Sequence, residues 1–503
     1  MSLAKAWSVA LHGVDGQLVE IEAHIGPGLP GVHLVGLPDA ALHESKDRVR
    51  SALVNSGWEW PNRRITLALS PATLRKAGSG FDLALACAVL AAENPALRAK
   101  LAGTVLIGEL ALDGRLRSVP GVLPSLLAAR RAGIARVVVP VSALGEAAMV
   151  GGLRAFGASR LNEVLNWLLD EGTLAAPGEL EAEVAEVAPD LADVVGQLAA
   201  RTALEVAAAG GHHLLMIGPP GTGKTMLARR MTGLLPSLHP DEALELATIR
   251  SVAGRLPTER TLSHTPPFVA PHHSSSIASL VGGGPGLARP GAVSLAHRGV
   301  LFMDEAPEFG SHLLESLRTP LEEGEVRIAR VDGVARYPAR FQLVMAANPC
   351  PCAPPHDRDC VCPPSARRRY LARLSGPLLD RVDLRAELEP LVQLATADLE
   401  PGESTASVRA RVQAARASAL ARWADRGWRT NAEVPGSALR GEFRLPRAAV
   451  APLDAALRRG ELTARGADRA LRTAWTLADL AGSDRPDQEL VCRAIEFKER
   501  RAA

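Results

Sequence analysis

Gly218-Pro219-Pro220-Gly221-Thr222-Gly223-Lys224-Thr225 decides how this chain is read. Four apolar residues, Leu214 to Ile217, run straight into it, and a helical stretch starts at Lys224. Strand, glycine-rich loop and helix with the spacing G-x-x-x-x-G-K-[ST] make a polyphosphate cradle. Glycines let backbone N–H groups turn inward around phosphate oxygens, because no Cβ blocks the approach. The helix N-terminus adds favourable partial charge. All eight residues are therefore expected to hold ATP, with Lys224 on the β- and γ-phosphates and Thr225 on Mg²⁺. An ordinary glycine-rich turn needs neither the strand in front nor the Lys-Thr pair at the end.

The second half of such a site is a buried strand that ends in acids. Val300-Leu301-Phe302-Met303-Asp304-Glu305 supplies it, with four apolar residues before two carboxylates, as a central parallel strand requires. Asp304 is expected to hold Mg²⁺ and Glu305 to orient the attacking water. A third apolar run, Phe341 to Ala347, ends at Asn348. A polar residue at that strand tip resembles the sensor 1 position of AAA+ ATPases, and an asparagine that merely starts a turn before Pro349 fits as well. Leu378-Leu379-Asp380-Arg381-Val382-Asp383 resembles a segment of magnesium-chelatase-like and MCM proteins. There the arginine reaches the ATP of the neighbouring subunit, which implies the same role for Arg381 and an oligomeric ring. The other reading is a surface Asp380–Arg381 pair, which contributes little.

At 503 residues the chain is too long for one core and has room for about three domains. A hydrophobic share of 47% beside 22% charged residues places it among globular proteins. The net charge of +2 is too small to demand a nucleic-acid partner by itself. No apolar run reaches the ~18 residues of a membrane span. Met1 to Val9 has a lysine but no apolar core after it, so no signal peptide is expected, and the default compartment is the cytoplasm.

Residues 1–168 read as an α+β domain. Strands are expected at Leu18 to Ile25, Val32 to Val35, Ile65 to Leu69, Val105 to Leu110 and Val137 to Val141. Helices are expected at Ala40 to Asn55, Asp82 to Ala92 and Pro124 to Ala132, the second of them buried. Ser79-Gly80-Phe81-Asp82-Leu83-Ala84 and Gly108 to Gly114 resemble the C-terminal fold of Lon proteases. That fold carries a Ser–Lys dyad, but the matching positions here are Phe81 and Leu123 or a neighbour. Lys76 and Ser79 are near in sequence, which alone does not activate a nucleophile. Residues 169–189 are acidic with Gly and Pro, a linker composition. A helix is expected from Asp190 to Ala209.

Within the ATPase core, residues 190–390, a long insertion carries Pro271-His272-His273 and Val281 to Gly284. No second ligand pair accompanies His272 and His273, which favours a loop facing a ring pore over a metal site. Arg327, Arg330 and Arg336 flank Asp332-Gly333, a hairpin signal. Such a basic hairpin is either a DNA-contacting loop or a solvated charged one. Cys350-Pro351-Cys352 and Cys360-Val361-Cys362 offer four thiolates, which suit tetrahedral Zn²⁺, with two redox-active disulfides as the rival reading. Residues 391–503 read as a helical lid, with helices at Glu403 to Arg426, Leu462 to Leu480 and Gln488 to Arg500. In AAA+ lids an arginine near such a helix start touches the γ-phosphate of its own subunit. Arg465 takes that position, with Arg469 and Arg472 as rivals.

Gly78 to Leu83, Gly218 to Thr225, Pro271-His272-His273, Asp304-Glu305-Ala306-Pro307-Glu308-Phe309, Asn348 to Cys352 and Ser375 to Arg381 together resemble the ComM/YifB competence proteins, a magnesium-chelatase-like branch of AAA+. The resemblance spans nearly the whole chain. It implies a multidomain α/β fold: a Lon-protease-like domain without its dyad, a parallel-sheet ATPase core and a helical lid. It implies an ATP- and Mg²⁺-dependent homo-hexameric ring acting on branched or single-stranded DNA with recombination proteins, away from membranes. The activity implied is branch migration that helps integrate incoming DNA. A metal-insertion motor of the magnesium-chelatase type and a protein-remodelling ATPase are the alternatives.

Overall fold

The computed structural model describes residues 2–181, 183, 188–256, 261–284, 288–330, 333–355, 359–390 and 402–498. Asp332 of the expected turn and the start of the expected lid, 391–401, lie outside them.

Two sheets carry the fold. The first has seven strands in the order Gly31–Val35, Arg64–Ser70, Asp15–Gly26, Leu3–His12, Thr104–Leu106, Arg136–Pro140, Arg154–Ala158. Leu3–His12 and Asp15–Gly26 form an antiparallel hairpin, while the pairs on the other side of Leu3–His12 are parallel. Side chains alternate between two cores, as the two-residue period of a strand dictates. Leu106 and Val138 enter the core around the helix Asp82–Glu93; Val105, Val137 and Val139 enter the core around the helix Val122–Arg131. The expected strand Val105 to Leu110 is split, because the chain turns at Gly108 and Glu109–Leu110 pairs instead with Leu116–Arg117.

The helix Asp82–Glu93 is buried along nearly its whole length. Its first residue, Asp82, accepts hydrogen bonds from Arg48 Nε (2.8 Å), Arg48 Nη2 (3.1 Å) and Leu110 N (3.2 Å). A carboxylate at such a place is tolerated only with partners of this kind. The positions that align with a Ser–Lys dyad are buried and apolar, Phe81 at 1% exposure and Leu123 at 0%. Lys76 and Ser79 do not pair with each other. Lys76 Nζ donates to the carbonyls of Gly36 (3.1 Å), Leu69 (3.0 Å) and Pro71, whereas Ser79 Oγ bonds Glu109.

Among its described residues the acidic stretch is fastened at several points, beginning with Lys100 Nζ on Asp170 Oδ1. Ala175 exchanges backbone hydrogen bonds with Gly157, and Glu183 accepts from Ser263 Oγ (2.6 Å) and His264 N (2.7 Å). The helix expected from Asp190 is interrupted. A short turn at Leu191–Asp193 is followed by a break, and the helix proper is Leu198–Gly210.

The second sheet is wholly parallel, in the order Phe268–Val269, Val300–Met303, Gln342–Ala347, Leu214–Ile217, Leu384–Glu387. Its central strands are apolar without alternation because both faces are covered. Leu214, Met216, Phe302 and Val344 pack with the helix Leu198–Gly210 and the C-terminal helices; Leu215, Leu301, Leu343 and Met345 pack on the opposite side.

The C-terminal helices Thr405–Trp423, Arg447–Arg458, Ala464–Leu480 and Gln488–Glu496 dock through a buried polar network as well as apolar contact. His212 Nε2 lies 2.7 Å from Thr476 Oγ1, and His213 N donates to Asp383 Oδ2 (2.9 Å). Asp383 Oδ1 also accepts from Arg469 Nη1 at 2.5 Å. Burial drives the His213 imidazole down to about 4. Asp383 is buried, which opposes its charge, yet Arg469 and the two histidines hold it well below the ordinary carboxylate range. A histidine kept neutral in the fold takes up its proton on unfolding, so stability falls as pH drops from about 6.5 toward 4. Asp383 acts lower, below the usual carboxylate pKa. We expect the thermal midpoint to decline between about pH 7 and about pH 5. In His213→Asn, which keeps an acceptor for the Leu343 N–H (3.0 Å), the decline should be shallower. Equal slopes in both proteins would remove His213 as the cause.

Candidate nucleotide site

The phosphate loop follows directly from the strand Leu214–Ile217 and ends at the helix Lys224–Leu234. Gly221 (φ +77°) and Gly223 (φ +92°) sit in the left-handed region, and the space a Cβ would occupy at either is open. The loop backbone is thus open to an approaching group at both positions. Lys224 is only 9% exposed, and its Nζ folds back on the carbonyls of Gly218 (2.6 Å) and Pro219 (2.7 Å) and on Asn348 Oδ1 (3.1 Å). Burial lowers its pKa, against the pull of Asp304 and Glu305. An ammonium whose hydrogen bonds all go to neutral carbonyl oxygens gains by exchanging them for phosphate oxygens.

Three parallel strands end beside this loop. Thr225 Oγ1 is 2.8 Å from Asp304 Oδ2. Two oxygens about 2.9 Å apart match adjacent corners of an Mg²⁺ octahedron with bonds of 2.0–2.1 Å, so this donor pair fits the ion. Glu305 follows with φ +51°, a left-handed conformation for a non-glycine residue. Such backbone costs of order 1–3 kcal/mol and persists where the surroundings impose it. Here its N–H is held by Asp304 Oδ1 at 3.0 Å, and its side chain is exposed. The sequence-predicted Lys224, Thr225, Asp304, Glu305 and Asn348 therefore meet at one end of the sheet.

Sequence reasoning missed three neighbours. Gln197, at the break before the helix Leu198–Gly210, donates to the carbonyls of Thr222 (3.3 Å) and Glu389 (2.7 Å) and so ties the phosphate loop to the chain after the last strand. Tyr370, on the helix Pro364–Leu371, is buried, which pushes its phenol up to about 12. Arg373 bonds Glu308 Oε2 (3.0 Å) just past Glu305. The only sequence signals were a glutamine after Gly196 and a basic-aromatic run at Arg367-Arg368-Arg369-Tyr370.

The strand Leu384–Glu387 runs parallel to Leu214–Ile217, with Leu214 opposite Leu384. Arg381 and Asp383 precede it, so they lie at the end of the sheet away from the phosphate loop, about 13 Å off at ~3.3 Å per strand residue. Arg469 Nη1 donates to Arg381 O (2.8 Å) at that far end and so anchors the helix Ala464–Leu480 there. Exposed Arg465 shares a cleft with Arg381, Asp380, Glu322 and Asp468. The start of this helix thus lies beside Arg381 rather than beside the phosphate loop of the same chain. The rivals Arg469 and Arg472 are also engaged there, Arg472 Nε on Val434 O at 2.7 Å. Arg381 itself is 5% exposed, with Nη1 on Pro377 O (2.6 Å) and Nη2 on Glu322. Its Nε has no partner among the described residues.

Comparison with known proteins sets this geometry in a family. An uncharacterized protein of Mycobacterium tuberculosis is 58% identical over 499 residues, 99% of each chain. The uncharacterized protein YifB of Escherichia coli is 41% identical over 499 residues, 99% of this chain and 97% of that one. Competence protein ComM of Haemophilus influenzae is 40% identical over 507 residues, 99% and 98% of the two chains. The chain belongs to the ComM/YifB family. Its magnesium-chelatase-like character is equally plain. Residues 190–396 match the family model described as magnesium chelatase, subunit ChlI; residues 402–498 match the model for the ChlI C-terminal part; residues 21–143 match a model described as subunit ChlI of Mg-chelatase. The first of these stretches holds the phosphate loop, Asp304, Glu305, Asn348 and Arg381, and the second holds Arg465.

Three further features of this ComM/YifB chain lie outside the phosphate loop. The strands Glu325–Arg330 and Gly333–Pro338 form the expected hairpin, with Val326 opposite Tyr337 on the buried side and Arg327 opposite Arg336 on the exposed side. Arg330 bonds Gly284 O, and Arg327 pairs with Glu323 (3.1 Å) and Glu325 (2.5 Å). The hairpin is braced by the first domain: a Cβ on Gly13 would lie 2.3 Å from the Arg336 carbonyl oxygen. His272 and His273 are exposed just past the edge strand Phe268–Val269, their rings 4.1 Å apart, and belong to no metal-ligand cluster among the described residues. The four cysteines do form one. The Sγ atoms of Cys350, Cys352, Cys360 and Cys362 all lie within 4.8 Å of one another.

Proposed function

We propose that this protein is an Mg²⁺-dependent ATPase that works as a head-to-tail ring, a homo-hexamer, and drives branch migration of DNA during the integration of incoming strands. One observation carries the ATPase part: Lys224, Thr225, Asp304, Glu305 and Asn348 converge at the C-terminal ends of three adjacent parallel strands. Mg²⁺ held by Thr225 and Asp304 would neutralise charge on the β- and γ-phosphates. Lys224 leaves its loop carbonyls for the phosphates. Asn348, already on Lys224, reports whether the γ-phosphate is there. Glu305, turned outward by its backbone, aligns the attacking water.

The ring part is supported by opposite placement. Arg381 and Arg465 face away from the phosphate loop of their own chain, as a head-to-tail neighbour requires. The cleft contributes both arginines to the adjacent ATP.

The DNA part is supported by the hairpin and by the printed name of the Haemophilus relative, a competence protein. Arg327 and Arg336 stand directly opposite on an exposed face. Glu323 and Glu325 offset Arg327, and the arginine pair still presents guanidinium donors of the kind that bind phosphate. A DNA backbone would supply such phosphates. No helix among the described residues is long and apolar enough to cross a membrane.

The test is the ATPase rate without nucleic acid, and with single-stranded DNA, duplex or a four-way junction, each at low and raised salt. We expect the junction to stimulate most and the stimulation to weaken with salt, because bound phosphates release counterions. The matches to magnesium-chelatase subunits favour a second reading, a motor for a metal-insertion partner. A rate indifferent to every DNA would move the assignment there.

A further inference from the structure

We infer that Cys350, Cys352, Cys360 and Cys362 form a closed tetrathiolate Zn²⁺ site whose task is to brace the γ-phosphate end of the nucleotide site. The distances fit one ion rather than two disulfides. Zn–S bonds of about 2.3 Å put tetrahedral sulfurs about 3.8 Å apart. Here Cys350–Cys352 and Cys350–Cys360 are 3.4 Å and Cys352–Cys360 is 3.6 Å, with Cys362 inside the same 4.8 Å cluster. A disulfide needs about 2.05 Å between two sulfurs and leaves a pair, not a four-way cluster. The Ala353 N–H donates to the Cys350 carbonyl (3.3 Å), which closes a tight turn at the first cysteine pair. Ala353 adopts φ +45°, a left-handed conformation that folds the chain back over Cys350. Four protein sulfurs leave no open position for water or substrate, so the ion is structural. Soft thiolates select Zn²⁺ over the Mg²⁺ that the phosphate loop takes.

The position says what is braced. Buried Cys350 comes two residues after Asn348, which bonds Lys224. Cys362 comes two residues before the helix Pro364–Leu371, which brings Tyr370 against Asn348 and leads to Arg373 on Glu308. One ion thus ties together both ends of a loop that enters and leaves the nucleotide site. Without it the chain loses a short-range link and Asn348 loses its fixed position, while the phosphate loop, built from Leu214–Ile217 and Lys224–Leu234, keeps its own support.

The experiment is metal analysis of the purified full chain, followed by zinc release as thiols are titrated with a mercurial. We expect about one zinc per chain, released as four thiols react. Cys352→Ser combined with Cys360→Ser should lose the zinc. A fluorescent ATP analogue should bind that variant within about 3-fold of the parent while kcat falls by about 10-fold or more, because Asn348 is displaced and the cradle is not. If the variant does not fold, the metal content and thiol titration of the parent still decide. Absence of stoichiometric zinc, or two disulfides found by mass spectrometry of the parent, would overturn the site. Zinc present with unchanged kcat after its loss would overturn the bracing role. Neither result touches the ATPase reading, which the parent's own phosphate release reports.

Discussion

Glu305→Gln should bind ATP with near-parental affinity and turn it over at least about 10²-fold more slowly, the size of a lost general-base or water-positioning contribution. The geometry separates binding from chemistry. Lys224, Thr225 and the glycine loop are the proposed phosphate holders, and none of their hydrogen bonds involves the Glu305 carboxylate. The Glu305 backbone N–H bonds Asp304, and glutamine keeps that bond. Glutamine also keeps the side-chain length, so only the charge and the acceptor for the water proton are lost. Lys224→Ala is the contrasting variant, since it should lose affinity as well as rate. The measurements are binding of a fluorescent ATP analogue and release of phosphate in one preparation. Normal turnover in Glu305→Gln would sink its role, and lost binding would mean that Glu305 supports the cradle instead.

What was legible in the sequence is what depends on neighbours in the chain. Gly218 to Thr225 and Met303-Asp304-Glu305 carry their meaning locally, because a strand, a tight loop and the first helical turn are all fixed by a few consecutive residues. The helix Ala40–Asn55 falls where its amphipathic pattern places it, capped by Asp39 onto Leu42 N (2.8 Å). The strand Leu3–His12 was harder to read. Its inward residues include Ala4, Ala6 and Ala10, which are too small to give a strong alternating signal. The surroundings of Arg465 were illegible for another reason. A helix start can be read from Thr463 and the apolar period, but the end of the sheet it docks on is set by Arg469 meeting Asp383, a contact 86 residues apart in sequence. Gln197 and Arg373 likewise act through folding-back that no local pattern announces.

Arg381→Ala should lower kcat by roughly 10³-fold or more, the range for an arginine supplied across a subunit boundary. An equal mixture with Glu305→Gln should regain part of the rate. Each variant lacks what the other provides: the first keeps its water-positioning glutamate and the second keeps its arginine. In randomly mixed rings about a quarter of the interfaces pair a working Glu305 with a working Arg381. Complementation of this kind cannot arise if Arg381 serves its own chain, so a mixture no faster than its parts would refute the trans role. The structure adds a condition. Arg381 is buried and latched to Glu322, with no partner for its Nε among the described residues, so in the trans role a neighbour's phosphate would have to compete with that carboxylate. Glu322 lies on the helix Arg318–Glu323, which leads into the basic hairpin at Glu325. On the trans reading, releasing the latch would also remove one contact next to the base of the hairpin. Glu322→Gln weakens the latch without touching the phosphate loop. It should shift the concentration-dependent rise in ATPase rate to lower protein and reduce how much DNA accelerates it, because one element then no longer answers to both ATP and DNA.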